Sequence, residues 1–577
     1  MPEAAAAAPL PAASAPARVR VIARRAGLVA LTGLLGTLAF PLAFPIGPRH
    51  ELFASGVLEP LAFVSLLPAL VAIRGLGARK SFGWGFFAGM FFFTGVFWWV
   101  NVAMTTFGGM PNYLSVPALL MLAAWCALHW GIAFGTCRAL EKGLGWPMGL
   151  TLAPVWMATE LMRNYFCSGF PWGDLGYTQV RNLWLSQTAS IAGVYGIAFL
   201  VALVNGALYE ALRARFYRER RFPSRLAASA AALLVLAHAY GALRVAAYER
   251  AARDAPLARI AVVQGNIDQR LKNAQGQHFQ TILDAYNPST SAADAAGADL
   301  IAWPEAAFPL AFVKGSRLVP SVHDYGRGLS QDRYGAHLLL GVDVWDPSDR
   351  RRGNENAAYL VAPDRSVLGQ YTKHHLVPFG EYVLFDLDKY LPIENLVPGT
   401  FRPGKSLKPM DVALRGRPGS FRIAPEICFD AIFPEISRSY ARDGAQVLVN
   451  ITNDAWYGFS SASFQFLRMV AMRGIETGLP VARAANTGIS AFVDPLGRIR
   501  QATSIGLVDS ELDSVDDSLR VPSEWRMEAV PLAKAFSPYV VWGDVPAYLA
   551  ALFAVASLGL AIVRIRAQKI SRPSKGR

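Results

Sequence analysis

FRIAPEICFD, residues 421–430, is an apolar run of strand length that stops on a thiol, Cys428, with an aromatic and a carboxylate directly behind it. Two further runs stop on reactive groups. Ala298–Trp303 leads through Pro304 to Glu305, and Ala357–Val361 leads, after a turn, to Lys373. Runs of this kind read as strands buried on both faces, and the ends of such strands are where α/β folds place their chemistry. One thiol, one carboxylate and one amine at three strand ends point to acyl transfer through a cysteine. The thiolate is the nucleophile, the carboxylate takes its proton and the amine supplies a fixed positive charge for the oxyanion.

The surroundings repeat the pattern. Between about Arg244 and Asp544, the runs Ala258–Val263, His337–Val344, Gln446–Ile451, Pro480–Ala485 and Ile489–Val493 join the three above, with helical stretches such as Gln277–Ala285 and Phe433–Arg442 between them. This is an α/β region long enough to bury its own core. Its His, Cys, Asp and Glu residues show no metal-ligand spacing, so neither a metal nor a cofactor is expected.

The rest of the chain reads as membrane. Of 577 residues, 53% are hydrophobic and 17% charged, too apolar for a soluble protein of this length. Ser81–Cys137 contains no Asp, Glu, Lys or Arg, leaving room for two spans of about 20 residues around an uncharged connector at Asn101–Asn112. Further spans are expected at Ala26–Phe44, Leu52–Ile73, Gly143–Thr159, Asn182–Leu208, Leu226–Leu243 and Val545–Val563. That makes eight, seven before the α/β region and one after.

A net charge of +14 suggests nucleic acid only until the basic residues are located. Arg18, Arg20, Arg24 and Arg25 precede the first span, Arg74, Arg79 and Lys80 follow the second, and Arg138 and Lys142 follow the fourth. Arg213, Arg215, Arg218, Arg220, Arg221 and Arg225 lie between the sixth and seventh, and Arg564, Arg566, Lys569, Arg572, Lys575 and Arg577 follow the last. All fall on one side of an eight-span arrangement, which puts both termini in the cytoplasm and the α/β region outside it; no nucleic acid is expected. Met1–Ala17, rich in Ala and Pro, reads as a disordered tail, and the first span, without a small-residue cleavage site, is expected to be retained. Of Cys126, Cys137, Cys167 and Cys428, only Cys167 lies within topological reach of Cys428. An unpaired thiol at a strand end leans toward reactivity, with a buried core cysteine as the plain alternative.

Four segments then combine: Trp303-Pro304-Glu305, YTKHHLVPFGE at 371–381, Glu426-Ile427-Cys428-Phe429-Asp430, and NITNDAW at 450–456. Together they resemble the Glu–Lys–Cys signature of the nitrilase superfamily. With its spans, the chain resembles the apolipoprotein N-acyltransferase family, an eight-span architecture with a nitrilase-like domain inserted before the last span. TTFGGMP at 105–111 and GFPWGDLGY at 169–177 are similar to that family's two periplasmic loops. The resemblance implies a polytopic α-helical membrane protein carrying an αββα sandwich. It also implies a ping-pong reaction in which an acyl chain passes from a phospholipid to the thiol, then to the α-amine of diacylglyceryl-cysteine on an apolipoprotein. The expected setting is the inner membrane, catalytic domain on the periplasmic side. The expected divisions are a disordered cytoplasmic tail (1–25), a seven-helix transmembrane region (26–247), a periplasmic catalytic domain with its return linker (248–543), a transmembrane helix (544–564) and a basic cytoplasmic tail (565–577).

On this reading Cys428 is the nucleophile, Glu305 the general base and Lys373 the oxyanion's cation, with a backbone N–H near Phe429 as a second donor. Glu381 is expected to orient the amine or share proton work, against the alternative of a plain surface carboxylate. Asp430, beside the nucleophile, is expected to handle the acceptor. His374 and His375 leave a Cys–His dyad open. Asn450, Asn453 and Asp454 are site-wall residues or turn formers, and Trp456 is grouped with the substrate contacts. Trp172, Phe170 and Tyr177 on one loop, and Phe107 and Met110 on the other, either line an apolar vestibule or anchor at the interface.

The chain also departs from the family pattern. Phe429 and Asp430 stand where a tyrosine and glutamate are common, Asn273 follows Leu271-Lys272 where a tryptophan is usual, and Ser463-Phe464-Gln465 lacks the customary histidine. A membrane-tethered amidase, passing the acyl group to water, and a non-enzymatic scaffold are the rival readings.

Overall fold

The structure is a computed structural model describing residues 15–43, 58–219, 223–273, 278–317, 334–348, 354–384, 401–503 and 523–570. Thirteen strands occur among the described residues: β1 (Leu257–Gln264), β2 (Leu300–Ala302), β3 (Phe312–Val313), β4 (His337–Trp345), β5 (Glu355–Val361), β6 (Val367–Thr372), β7 (Met410–Ala413), β8 (Ser420–Ile427), β9 (Val447–Thr452), β10 (Val481–Ala485), β11 (Ala491–Val493), β12 (Ile499–Arg500) and β13 (Glu524–Pro531). One sheet runs β13-β1-β2-β4-β5-β6 with β3 beside β4; the other runs β12-β11-β10-β9-β8-β7. Parallel pairing is confined to β1, β2, β3 and β4 in the first and β8, β9 and β10 in the second. β1 packs on β10 and β5 on β8, so the sheets lie face to face. The helix Phe279–Ala295 covers one outer face, and Pro434–Arg442 with Ser461–Thr477 the other.

This layering explains the apolar runs. Along β1 and β2, Ile260, Val262, Leu300 and Ala302 point toward the second sheet, while Ala261, Val263 and Ile301 point under Phe279–Ala295. With both faces buried, neither register position can be polar. Lys373, expected after a turn, instead directly follows a strand of its own, β6. β6 is half-exposed along VLGQYT, and mixed polarity hides such a strand from a hydrophobicity reading.

In the helical part, Arg18–Leu38, Asn112–Leu144, Ala189–Tyr217, Ser224–Arg253 and Val545–Gln568 are each long and apolar enough to cross a membrane, and Ala78–Val96 with Trp98–Phe107 forms a sixth candidate bent by 56°. Met148–Tyr165 packs between them. Gly149 and Gly206 bring two helices together: a Cβ on either would lie 2.3 or 2.4 Å from the other's carbonyl oxygen, the close backbone approach that small residues permit where water is absent. The second expected span is represented by short helices over Glu59–Ala72; residues 44–57 lie outside the described residues.

Several boundaries move. The first helix begins at Ala15, inside the stretch expected to be a disordered tail, because its Ala- and Arg-rich start favours helix. Residues 1–14 lie outside the described residues. Ser224–Arg253 runs past the boundary expected at 247, and the last helix runs past 564 to Ile570, the charged ends continuing the helix beyond the apolar window.

The helix Ser461–Thr477 joins the two parts. Trp172 donates its indole N–H to Gln465 at 2.7 Å, and Gln465 donates to the carbonyl of Pro41 at 3.1 Å. Glu476 accepts the Val194 N–H at 2.8 Å, Arg473 donates to Tyr177 at 3.0 Å, and Arg244 donates to the Ile475 carbonyl at 3.0 Å. Gln465 thus bridges the parts at the stretch that lacks the customary histidine.

Candidate active site

Cys428 is the first residue after β8 and opens a 3₁₀ turn, Cys428–Ile432. Its φ of 47° lies in the left-handed region, which costs a side-chain-bearing residue about 1–3 kcal/mol and recurs where a reactive group must be thrust out of a strand end. In a turn so placed, the N–H of Phe429 is not used by the turn's own bonds. All four cysteines are free, so Cys167 makes no bridge to Cys428.

Glu305 follows β2 and is held on every side. Its Oε1 accepts from Asn356 Nδ2 at 2.7 Å and Lys373 Nζ at 3.0 Å, and its Oε2 accepts from the backbone N–H of Asn453 at 3.0 Å. Lys373, 1% exposed, also donates to Glu381 Oε1 at 2.8 Å, and Glu381 Oε2 accepts from Val377 N–H at 2.8 Å. Glu381 is therefore a partner of the lysine and not a surface carboxylate. A residue absent from the expected site joins here: Lys272 Nζ donates to the carbonyl of Glu305 at 2.9 Å. Asn356 was likewise not singled out. Its only signal in the sequence is a polar residue second in a strand that is apolar from Ala357 on.

The electrostatics define the resting state. Burial pushes the Cys428 thiol up to about 12, the nearby Glu305 charge adding to the effect and Lys373 opposing it. Burial would raise Glu305 as well, but the charge and hydrogen bond of Lys373, with Asn356 and Lys272, hold it below its ordinary value. Lys373 is held well above its own, its carboxylate partners overcoming burial. The resting pair is thus a protonated thiol and an ionised carboxylate.

Asp430 is fully buried. It accepts from His375 N–H at 2.7 Å, His374 N–H at 3.2 Å, Ile427 N–H at 3.1 Å and Tyr371 Oη at 2.7 Å. Both oxygens are occupied by the protein, so that Asp430 ties the turn of Cys428 to the segment carrying Lys373. The ring of His375 stacks on Phe433 at 3.8 Å and reaches Glu435 at 3.3 Å. Among the described residues neither imidazole has a hydrogen bond to the thiol.

Asn450 sits within β9, donating to the Glu426 carbonyl at 3.3 Å and accepting from Arg483. It lies within a strand and not in a turn. Asp454 takes both its oxygens to Arg483, at 3.0 and 2.8 Å. Asn453 reaches Glu305 through its backbone while its side chain binds Gln269 at 2.7 Å. Trp172 and Tyr177, expected to line a vestibule or to anchor at the interface, are buried, their polar tips bonded to Gln465 and Arg473. Trp172 packs on Trp99, with ring centroids 4.6 Å apart and the planes tilted by 41°. Half-buried Phe170 meets the turn of Cys428, its ring centroid 6.3 Å from that of Phe429. Arg163 secures that loop, donating to the carbonyls of Phe170 at 3.1 Å and Trp172 at 2.6 Å and pairing with Asp174. Phe107 lies 6.5 Å from Trp456 by ring centroid, both half-buried, and Met110 is half-buried nearby in sequence. The side chain of Asn273 lies outside the described residues. No group of His, Cys, Asp and Glu able to hold a metal occurs among the described residues.

Residues 259–511 match the carbon-nitrogen hydrolase family, and residues 32–207 match the apolipoprotein N-acyltransferase N-terminal domain. An apolipoprotein N-acyltransferase of Geobacter metallireducens is 36% identical over 84% of this chain and 88% of its own length. One of Caulobacter vibrioides is 30% identical over 94% and 95%. Among solved structures, an amidase from Nesterenkonia sp. AN1 is 19% identical, covering 49% of this chain and 94% of its own, with a TM-score of 0.32. The two domain matches fall in chain order, and the full-length relatives run through both, so this chain belongs to the apolipoprotein N-acyltransferase family.

Proposed function

We propose that this chain moves an acyl chain from a membrane phospholipid to Cys428 and then to the N-terminal α-amine of diacylglyceryl-cysteine on an apolipoprotein. The observation that carries this reading is the buried Glu305–Lys373–Glu381 cluster beside the thiol, together with the helical part that brings Phe170 against the nucleophile's turn. Glu305 takes the Sγ proton as sulfur attacks the donor ester. Lys373 and the Phe429 N–H receive the oxyanion. The glycerol oxygen leaves with the proton from Glu305 as lysophospholipid, and a thioester remains. In the second half the amine attacks the thioester, Glu305 accepts the amine proton and returns it to the departing sulfur, and the amide product leaves with Cys428 a thiol again.

The membrane setting follows from the substrates, since withdrawing an acyl chain from lipid costs about 0.8 kcal/mol per CH₂. Eight spans, both termini in the cytoplasm and the catalytic domain on the periplasmic side of the inner membrane are the arrangement that the basic loops favour. Phe170, Phe107, Met110 and Trp456 are the proposed lining of the acyl path. The deciding experiment is mass spectrometry of the purified protein after incubation with phospholipid. An acyl adduct is expected on Cys428 and absent from the Cys428→Ser variant. An adduct on Cys167, or full turnover by the serine variant, overturns the reading.

A further inference from the structure

Lys373 faces two carboxylates at once, Glu305 at 3.0 Å and Glu381 at 2.8 Å. One ammonium cannot balance both, and the negative charge that moves from Glu305 toward the sulfur and the oxyanion during the reaction must be met as well. A second cation lies on the other side of Glu305. Lys272, 5% exposed, opens onto the site from the short helix Gln269–Asn273 after β1. Among the described residues its Nζ makes one hydrogen bond, to the Glu305 carbonyl at 2.9 Å. An ammonium has three donors, so burial with a single acceptor is costly unless its charge is used.

We propose that Lys272 is a positioning residue of the acyl-transfer site, its ammonium clamping the backbone of Glu305 and supplying the positive charge against which Glu305 stays ionised and negative charge builds on Cys428. The proposal rests on Cys428 as nucleophile. The charged groups that act on Lys272 come from three elements: Glu305 after β2, Asp343 on β4 and Cys428 after β8. Asp268 lies one turn earlier on its own segment, and Lys373 and Glu381 stand beyond Glu305. Burial lowers Lys272 to about 8, with the three acidic groups opposing. It is therefore charged at neutral pH, and its support ends as pH rises through that value. Asp343, raised by burial to about 6, titrates below this window.

The test uses the full-length protein in detergent and follows alkylation of Cys428 by iodoacetamide with peptide mass spectrometry, from about pH 6 to about 10. In the wild type the alkylation rate should rise with pH and then level off or fall near pH 8. Lys272→Met should react about tenfold or more slowly at neutral pH, as expected for loss of a nearby opposite charge, and show no break near pH 8. Lys272→Arg, which stays charged, should keep a neutral rate within about threefold of wild type and continue to rise past pH 8. A lysine that only filled space would leave the profile's shape unchanged. Superimposable wild-type and Lys272→Met profiles, or a Lys272→Arg profile that breaks near pH 8 as the wild type does, overturn the proposal. The arginine variant keeps the test decisive if the methionine variant does not fold. A wild-type Cys428 that does not react while another cysteine does overturns the nucleophile assignment as well.

Discussion

Replacing Asp430 with asparagine changes one oxygen to an NH₂ group and leaves the shape intact, so its effect can be worked from four hydrogen bonds. With the amide oxygen toward the N–H groups of His374 and His375, the NH₂ faces the N–H of Ile427, donor against donor, where an acceptor had stood at 3.1 Å. Tyr371 can turn its hydroxyl to accept, but the Ile427 N–H cannot turn. The flipped amide is worse, setting NH₂ against two N–H groups. At least one buried donor is left unsatisfied, a loss of about 1–3 kcal/mol. Because these bonds join the turn of Cys428 to the segment of Lys373, the loss falls on the geometry of thiolate attack. Acyl-enzyme formation should slow about tenfold to a hundredfold, and the melting temperature in detergent should fall with it. Single-turnover mass spectrometry with phospholipid measures the first half-reaction and added apolipoprotein the second. If Asp430→Asn forms acyl-enzyme at the wild-type rate and is slow only in transfer, the tie between turn and lysine segment is not what matters and the residue handles the acceptor after all.

Lys373→Ala should abolish thioester formation, with no adduct detected in the same assay, because the oxyanion loses its cation and Glu305 its partner. For topology, a membrane-impermeant thiol reagent should label Ala296→Cys from outside the cytoplasm and leave Ser224→Cys untouched, both positions being exposed; reversed labelling would place the catalytic domain in the cytoplasm. Glu305, held below its ordinary value of 4.5 in the folded protein, contributes stability that is present above about pH 4.5 and is lost as pH falls through its lower folded value. Thermal melts across that range should show Glu305→Gln losing less stability on acidification than wild type, and parallel curves would refute the linkage.

The strands at the centre of the sheets were legible because they are buried on both faces: β1, β4, β8 and β10 match the runs seen at Ala258–Val263, His337–Val344, Phe421–Ile427 and Pro480–Ala485. The edges were not. β13 pairs with β1 along EWRMEAVP, and a strand with one side in solvent carries charges that break the pattern. The helix Ser461–Thr477 escaped the same way, since its Gln465, Arg473 and Glu476 are polar but direct that polarity at the helical part.

By itself the sequence determined a membrane-helical chain, an α/β insert and three reactive groups at strand ends, because each is a local matter of how long an apolar run is and which residue terminates it. Only the tertiary structure decided which polar groups meet. Lys272 stands 33 residues from Glu305 and Asn356 stands 51 away, yet both bond to it, while Trp172 bonds to Gln465 across 293 residues. The physical reason is that a buried polar atom must find a partner wherever the fold brings one, and that pairing is set by the packing of distant elements.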